Sequence, residues 1–284
     1  MLDLMDQINA NYAHLTPSSR KIANYIRDNY MQAQYLSISG LANECGVAEA
    51  TIFRFCKTLG FGGYNEFKLA LAKSSIANQN DAYSAYGEID LEDSTVESMC
   101  RRLYNANIQA LSQTLTLLDE SALIKAGDLL TNASKILGLG YGGSMATVRE
   151  AWTRFLTVSS KFFTIEDNHM QIMAASLMEE NDVILFISYS GSIRDAEDVL
   201  RPAKARGAKV ILITHYADSP AAALSDVVLL CGGHEGPLQS GSIAAKMAML
   251  FVVDMLVNEF CRRDMDTTMH NKDLTANALA SRHI

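Results

Sequence analysis

Apolar residues change their spacing twice along this chain of 284 residues. Up to about residue 75 they recur in short amphipathic stretches without strand-like alternation, which predicts a bundle of small helices. Residues 75–95 keep neither a helical nor a strand period and are rich in Asn, Ser, Asp and Ala, so they read as a linker. Beyond them, helical spacing over 96–118 and 122–131 gives way to five apolar runs of strand length, at 135–139, 161–165, 182–187, 209–213 and 226–230. Runs that are apolar at consecutive positions belong to strands covered on both faces. The second half is therefore expected to be α/β, with a five-stranded parallel sheet flanked by helices. A final helix at 242–261 is apolar nearly all round, so it must be buried on more than one side, and a subunit interface is one use for it. The expected division is an all-α domain at 1–75, a linker at 76–95 and an α/β domain at 96–284.

Within the first region, residues 36–61 carry the densest signal. A helix is predicted at 38–44, Gly46 stands where a tight interhelical turn needs a positive φ, and a second helix at 49–59 stops at Gly60. Ile52, Phe55 and Leu59 share one stripe and must face the core, while Ala42 is small where the two helices cross. The opposite face offers Glu49, Thr51, Arg54, Lys57 and Thr58. Short polar groups near the N-terminus with basic ones beyond are what a major-groove recognition helix presents. A plain helical hairpin with a solvated charged face would carry the same charges; the spacing, with Gly at the turn, favours helix-turn-helix DNA binding. Lys68 and Lys73 are open to a phosphate or to a plain surface role.

The net charge of −8 argues against a nucleic-acid partner only until it is counted by region. Residues 1–75 carry +1 and the remainder −9. Composition excludes a disordered or low-complexity chain, being 49% hydrophobic and 20% charged with 4 Pro. The longest apolar run, 247–253, falls far short of the roughly 20 residues that span a bilayer, so no membrane partner is expected. The start is acidic where a signal peptide would be basic. Cys45, Cys56, Cys100, Cys231 and Cys261 are an odd set without paired spacing, which predicts a reduced, cytoplasmic protein. Cys231 and His234 alone do not make a zinc site, and no metal or other cofactor is expected.

Three of the inferred strands run into loops rich in Gly and hydroxyl groups. The first is Gly138-Leu-Gly-Tyr-Gly-Gly143-Ser144, the second Ser188-Tyr-Ser190-Gly-Ser192, and the third begins Thr214-His215-Tyr. Backbone N–H groups at a helix start, together with Ser hydroxyls, hold an anion without a metal or Lys. In a parallel sheet such loops converge at the strands' carboxyl ends, so a phosphomonoester with neighbouring sugar hydroxyls is the expected ligand. Gly138, Gly140 and Gly143 also satisfy G-x-G-x-x-G, with Glu166 or Asp167 after the next strand, so a dinucleotide reading is formally open. It leaves the second serine loop unexplained.

These motifs together resemble the RpiR-type transcriptional regulators, over nearly the whole chain. Residues 51–68 are similar to the family's helix-turn-helix ending TI-x-RFC-x-x-LGF-x-GY-x-EFK. Gly140 to Ser144, Asp167-Asn-His169-Met-Gln171, the Ser188–Ser192 loop and Gln239-Ser-Gly-Ser242 resemble a sugar isomerase (SIS) domain. The resemblance implies a regulator of sugar or amino-sugar metabolism genes rather than an enzyme, reading operator DNA as a homodimer or homotetramer, with a phosphosugar modulating operator affinity. It implies effector contacts from Gly143, Ser144, Ser188, Ser190, Ser192, His169, Glu235 and Gln239. Gln239 replaces a frequent Arg, and so does Lys246, while Ser192 stands where Thr is commoner. The alternative is an aldose–ketose phosphosugar isomerase with His169, Asp167 or Glu235 as acid and base. A nicotinamide enzyme is a third reading, and the helix-turn-helix separates the first from both.

Overall fold

The computed structural model describes residues 4–77, 95–191, 194–233, 235 and 241–280. They fall into two compact units, one formed by Met1–Asn105 with His234–Ser242 and the other by Ala106–Gly233 with Ile243–Ile284. Most of the expected linker lies outside the described residues.

The first unit is helical: α1 (Leu4–Asn11), α2 (Pro17–Asp28), α3 (Tyr30–Ala33), α4 (Ile38–Cys45), α5 (Glu49–Thr58) and α6 (Tyr64–Ala77). Local chemistry sets the boundaries. Thr16 caps α2 by accepting the Ser19 N–H, with Pro17 in the first turn. Ser37 caps α4 by accepting the Gly40 N–H at 2.9 Å. Gly46 ends α4 at φ 59°, a left-handed conformation that costs a side-chain-bearing residue energy. Ile22, Ile26, Ile52, Phe55 and Phe67 are fully buried, and the Phe55 and Phe67 rings meet edge to face at 5.8 Å. The expected Ile52, Phe55 and Leu59 stripe does face this core. Burial pushes the Cys45 thiol up to about 11 and the Cys56 thiol up to about 12, so both behave as apolar groups. Lys68, on α6, is also partly withdrawn from water. Burial pulls its ammonium down to about 8, against the attraction of Glu235 in the same unit.

Helix α7 (Val96–Leu117) crosses the division, its turns up to Asn105 grouping with the first unit and the rest with the second. The second unit continues through α8 (Glu120–Asn132), β1 (Ile136–Gly140), α9 (Ser144–Leu156), β2 (Phe162–Thr164), α10 (Asn168–Ser176), β3 (Val183–Ile187), α11 (Arg194–Ala205), β4 (Lys209–Thr214), α12 (Pro220–Ala223), β5 (Val227–Leu230), α13 (Ile243–Cys261) and α14 (Met265–Ala280). The sheet is wholly parallel in the order β2-β1-β3-β4-β5. Alternate strand residues explain the unbroken apolar runs. Ile136, Val183, Leu185, Ile187, Ile211 and Ile213 pack under α8, α9 and α13. Their neighbours Leu137, Leu139, Ile184, Phe186, Val210 and Leu212 pack under α10 and α11.

Helix α13 buries Ala245, Ala248, Met249, Val252, Val253 and Leu256 inside its own unit, against α8 and α9. The apolar surface that suggested a partner subunit is thus covered largely within the chain. Among the described residues no helix is long and apolar enough to cross a membrane.

Glycine at 138 is a packing requirement. A Cβ there would stand 2.6 Å from the Phe162 ring and 3.0 Å from Val148. Gly138→Val should destabilise the second unit by about 1–3 kcal/mol through overpacking, measured by denaturant unfolding. Lys68→Met should stabilise the protein at pH 7, because the wild type bears the cost of a desolvated ammonium below its folded-state value. That advantage should shrink as pH rises from about 8 toward the ordinary lysine value of 10.5, where only the unfolded chain still binds the proton. Paired unfolding curves of the two proteins across this window check it; a constant difference counts against the assignment.

Candidate DNA-reading helix and anion-binding loops

The helix-turn-helix places its polar residues unequally. Arg54, Lys57 and Thr58 are exposed on α5. Thr51 is partly exposed, and its hydroxyl lies 3.4 Å from the Arg54 guanidinium, which donates to it. The Thr58 hydroxyl donates to the Arg54 carbonyl at 3.0 Å, so it is turned back onto its own helix. The Glu49 carboxylate accepts the hydroxyl of Ser39 on α4 and ties the two helices together. Phe53, which spacing alone did not single out, is 45% exposed on α5, and the Lys57 ammonium sits 5.4 Å from its ring centroid. Its signal in the sequence was an aromatic off the buried stripe. No side chain caps α5, whose N-cap is Ala48; in its first turn the Thr51 N–H donates to the Ala48 carbonyl at 2.8 Å.

In the second unit the strand order reverses between β1 and β3, the position where ligands bind in open α/β sheets. Gly140 and Ile187, the last residues of those strands, are register partners. A Cβ on Gly140 would lie 3.0 Å from the Ile187 carbonyl. The loops that follow, starting at Tyr141 and at Ser188, therefore leave the sheet side by side. In the first, Gly142 takes φ 52° and the chain turns into α9 at Ser144, with no side chain capping the helix. Lys246 reaches this turn, its Nζ 3.8 Å from where a Gly143 Cβ would stand.

The second loop is more tightly built. Ser188 is buried, and its hydroxyl accepts the Gly191 N–H at 3.1 Å, closing the turn. Gly191 takes φ 57°, and a Cβ there would collide with the Ser219 hydroxyl. Ser190 is partly exposed between Tyr189 and this fixed glycine. The Tyr189 carbonyl accepts from the Thr214 hydroxyl and the His215 N–H, each at 3.0 Å, so the third loop braces the second. The His215 ring stacks on Tyr189 at 5.0 Å and 8°. Ser192 lies outside the described residues.

The other expected contacts are scattered. His169 is exposed on α10. Asp167 caps that helix, accepting the Met170 N–H at 2.9 Å. Glu166 pairs with Arg149. Gln171 is buried and donates to the Ile165 carbonyl at 2.8 Å and to the Gly140 carbonyl at 3.4 Å, while its Oε1 meets no partner among the described residues. Glu235 accepts the Gly241 N–H and groups with the first unit, not with the serine loops. Gln239 and His234 lie outside the described residues. No group of three metal-binding side chains occurs among the described residues.

Residues 2–79 match the helix-turn-helix domain of the rpiR family, and residues 129–259 match the SIS domain. A helix-turn-helix-type transcriptional regulator of Caldanaerobacter subterraneus is 32% identical, over 100% of this chain and 99% of that one. The regulator HexR of Pseudomonas aeruginosa is 30% identical over 100% and 98%. Among solved structures, the NanR protein of Vibrio vulnificus complexed with ManNAc-6P superposes with a TM-score of 0.86 at 26% identity, covering 98% of each chain. The chain belongs to the rpiR family of helix-turn-helix transcriptional regulators that carry an SIS domain.

Proposed function

We propose that the protein regulates sugar or amino-sugar metabolism genes, and that a phosphosugar held by the second unit sets its affinity for operator DNA. The observation that carries this reading is the pairing of Gly140 with Ile187, which launches the Ser144 and Ser190 loops from adjacent strand ends at the switch point. In it, the phosphate is held by the Gly143–Ser144 start of α9 and by Ser190, with Ser188 holding the loop in shape. Ser192, His169 and Gln239 are assigned to the sugar side of the ligand, and Glu235, which groups with the first unit, is not. NanR, a full-length structural relative, is complexed with an amino-sugar phosphate, which supports this ligand class.

In the same reading residues 1–75 bind DNA, 76–95 link, and 96–284 bind effector, in a cytoplasmic homodimer or homotetramer, because one helix-turn-helix covers only a half-site. In this reading the protein is a regulator and not an isomerase, and Asp167, one of the carboxylates such an enzyme could use, caps α10.

Arg54→Ala should weaken specific operator binding by about 1–3 kcal/mol, and adding Lys57→Ala should weaken it further and lower the salt dependence. Footprinting and mobility-shift titration check this, with two half-sites expected in the footprint. Unchanged affinity in a folded double variant would remove α5 as the reader. Ser144→Ala combined with Ser190→Ala should abolish the response to sugar phosphates, each hydroxyl contributing about 1–3 kcal/mol, and leave effector-free operator binding near wild type. A panel of hexose and amino-sugar phosphates, assayed by thermal shift and operator titration, decides it; a double variant that still responds places the phosphate elsewhere, and turnover of a sugar phosphate restores the isomerase reading.

A further inference from the structure

We propose that Tyr189 is a positioning residue that couples the anion-binding loop to α7 through the Gly232-Gly233 segment, so that effector occupancy is transmitted to the helix leading toward the DNA-binding unit. This rests on the phosphosugar reading above.

Tyr189 lies between Ser188 and Ser190, and its backbone is fixed by the two bonds its carbonyl accepts from Thr214 and His215. Its side chain points to a different element from its serine neighbours' loop. The hydroxyl donates to the Gly233 carbonyl at 2.8 Å, while the ring is held by the stacked His215 and the edge-on Tyr216 at 6.0 Å. His215 reaches the same strand end, its Nδ1 lying 2.9 Å from the Cys231 carbonyl. The second and third loops therefore both grip residues 231–233, just past β5.

That segment is in turn fastened to α7. The Gly232 N–H donates to the Thr114 hydroxyl at 2.9 Å, and the Gly233 N–H donates to Gln113 Oε1 at 3.0 Å. Thr114 is fully buried and directs its own proton to the Ala110 carbonyl at 2.7 Å, which leaves its oxygen lone pairs to receive Gly232. The approach is backbone against backbone. A Cβ on Gly232 would stand 2.6 Å from the Ala110 carbonyl and 2.8 Å from the Thr114 nitrogen. Gly233 takes φ 83°, so this glycine pair serves both the turn and the contact.

Between Tyr189 and α7 the path runs through the Gly232-Gly233 backbone, which lies against the α7 backbone and is bonded to the short, buried Thr114 side chain and to Gln113. Packed contacts of this kind shift between discrete arrangements rather than deform smoothly. A rearrangement of the Ser190 loop on taking up a phosphate must then move Gly233 or break the tyrosine bond. Movement of Gly233 must move α7 or break the bonds to Gln113 and Thr114. Helix α7 continues without interruption to Val96, in turns that group with the first unit.

Tyr189→Phe keeps the ring and its stacking and removes only the hydroxyl. The test titrates full-length protein with DNA selected by the wild type from a random pool, with and without saturating N-acetylmannosamine 6-phosphate or glucosamine 6-phosphate. In the variant, effector affinity of the DNA-free protein should stay within about twofold of wild type. The ratio of operator affinities with and without effector should fall about fivefold toward unity, the effect of losing one hydrogen bond from the coupling. Gln113→Met, altered on the α7 side, should do the same and serves if the first variant does not fold. A merely structural role would lower thermal stability or effector affinity and leave the ratio untouched, and that result overturns the relay while the effector reading stands. A wild type that binds neither sugar phosphate in thermal shift and shows no change in operator affinity overturns both.

Discussion

Burial of the central sheet on both faces is the constraint from which the rest follows. Once α8, α9 and α13 cover one face and α10 and α11 the other, no strand interior can present a polar side chain to a ligand. Chemistry is driven to the strand ends, and the pair flanking the strand-order reversal is the place where open parallel sheets bind ligands. Gly140 sharpens the effect: lacking a Cβ, it lets β1 finish against the Ile187 carbonyl and brings two loops to one place. In the reading proposed above, backbone N–H groups and hydroxyls suffice to hold the anion, since neither needs a counter-charge desolvated with it in the ligand's absence.

The helical unit meets a different requirement: it must hold α5 at a fixed angle while leaving one face bare. Gly46 makes the turn, Ser37 ends the preceding loop, and the Ser39 bond to Glu49 joins the two helices beyond what apolar packing provides. With Ile52, Phe55 and Cys56 buried, Glu49, Ala50, Phe53, Arg54, Lys57 and Thr58 are exposed and Thr51 partly so. The exposed Phe53 ring, with the Lys57 ammonium 5.4 Å from its centroid, adds an apolar surface to that face.

Much of this is legible in the sequence because it follows from periodicity. Consecutive apolar residues announce two-sided strands, and the stripe at 52, 55 and 59 announces the orientation of α5. What periodicity cannot register is a partner distant in sequence. The G-x-G-x-x-G spacing at 138, 140 and 143 looks like a nucleotide fingerprint, yet two of its glycines answer to Phe162, Val148 and the Ile187 carbonyl. Glu49 reads as part of a DNA face and is exposed, while its carboxylate also accepts the hydroxyl of Ser39 on the neighbouring helix. Tyr189 and His215 give little signal, because stacking between two loops has no sequence period. The segment Cys231-Gly-Gly-His234 reads as no more than half a metal site, whereas Gly232 and Gly233 are needed for the close approach to α7.

The charge distribution bears on how such a protein can be selective. A surface that offers Arg54 and Lys57 per copy, in a region of net +1 attached to one of −9, neutralises few phosphates. Non-specific attraction to DNA, which grows with the number of released counterions, is correspondingly small for a single copy. In the oligomer proposed above, affinity would then come from base contacts and from several copies engaging one site together, where each added half-site multiplies the binding constant. A regulator built this way responds steeply to geometry. An effector that changes the spacing or tilt of two weakly bound reading heads need not weaken either contact, because misalignment alone forfeits the gain from binding them jointly.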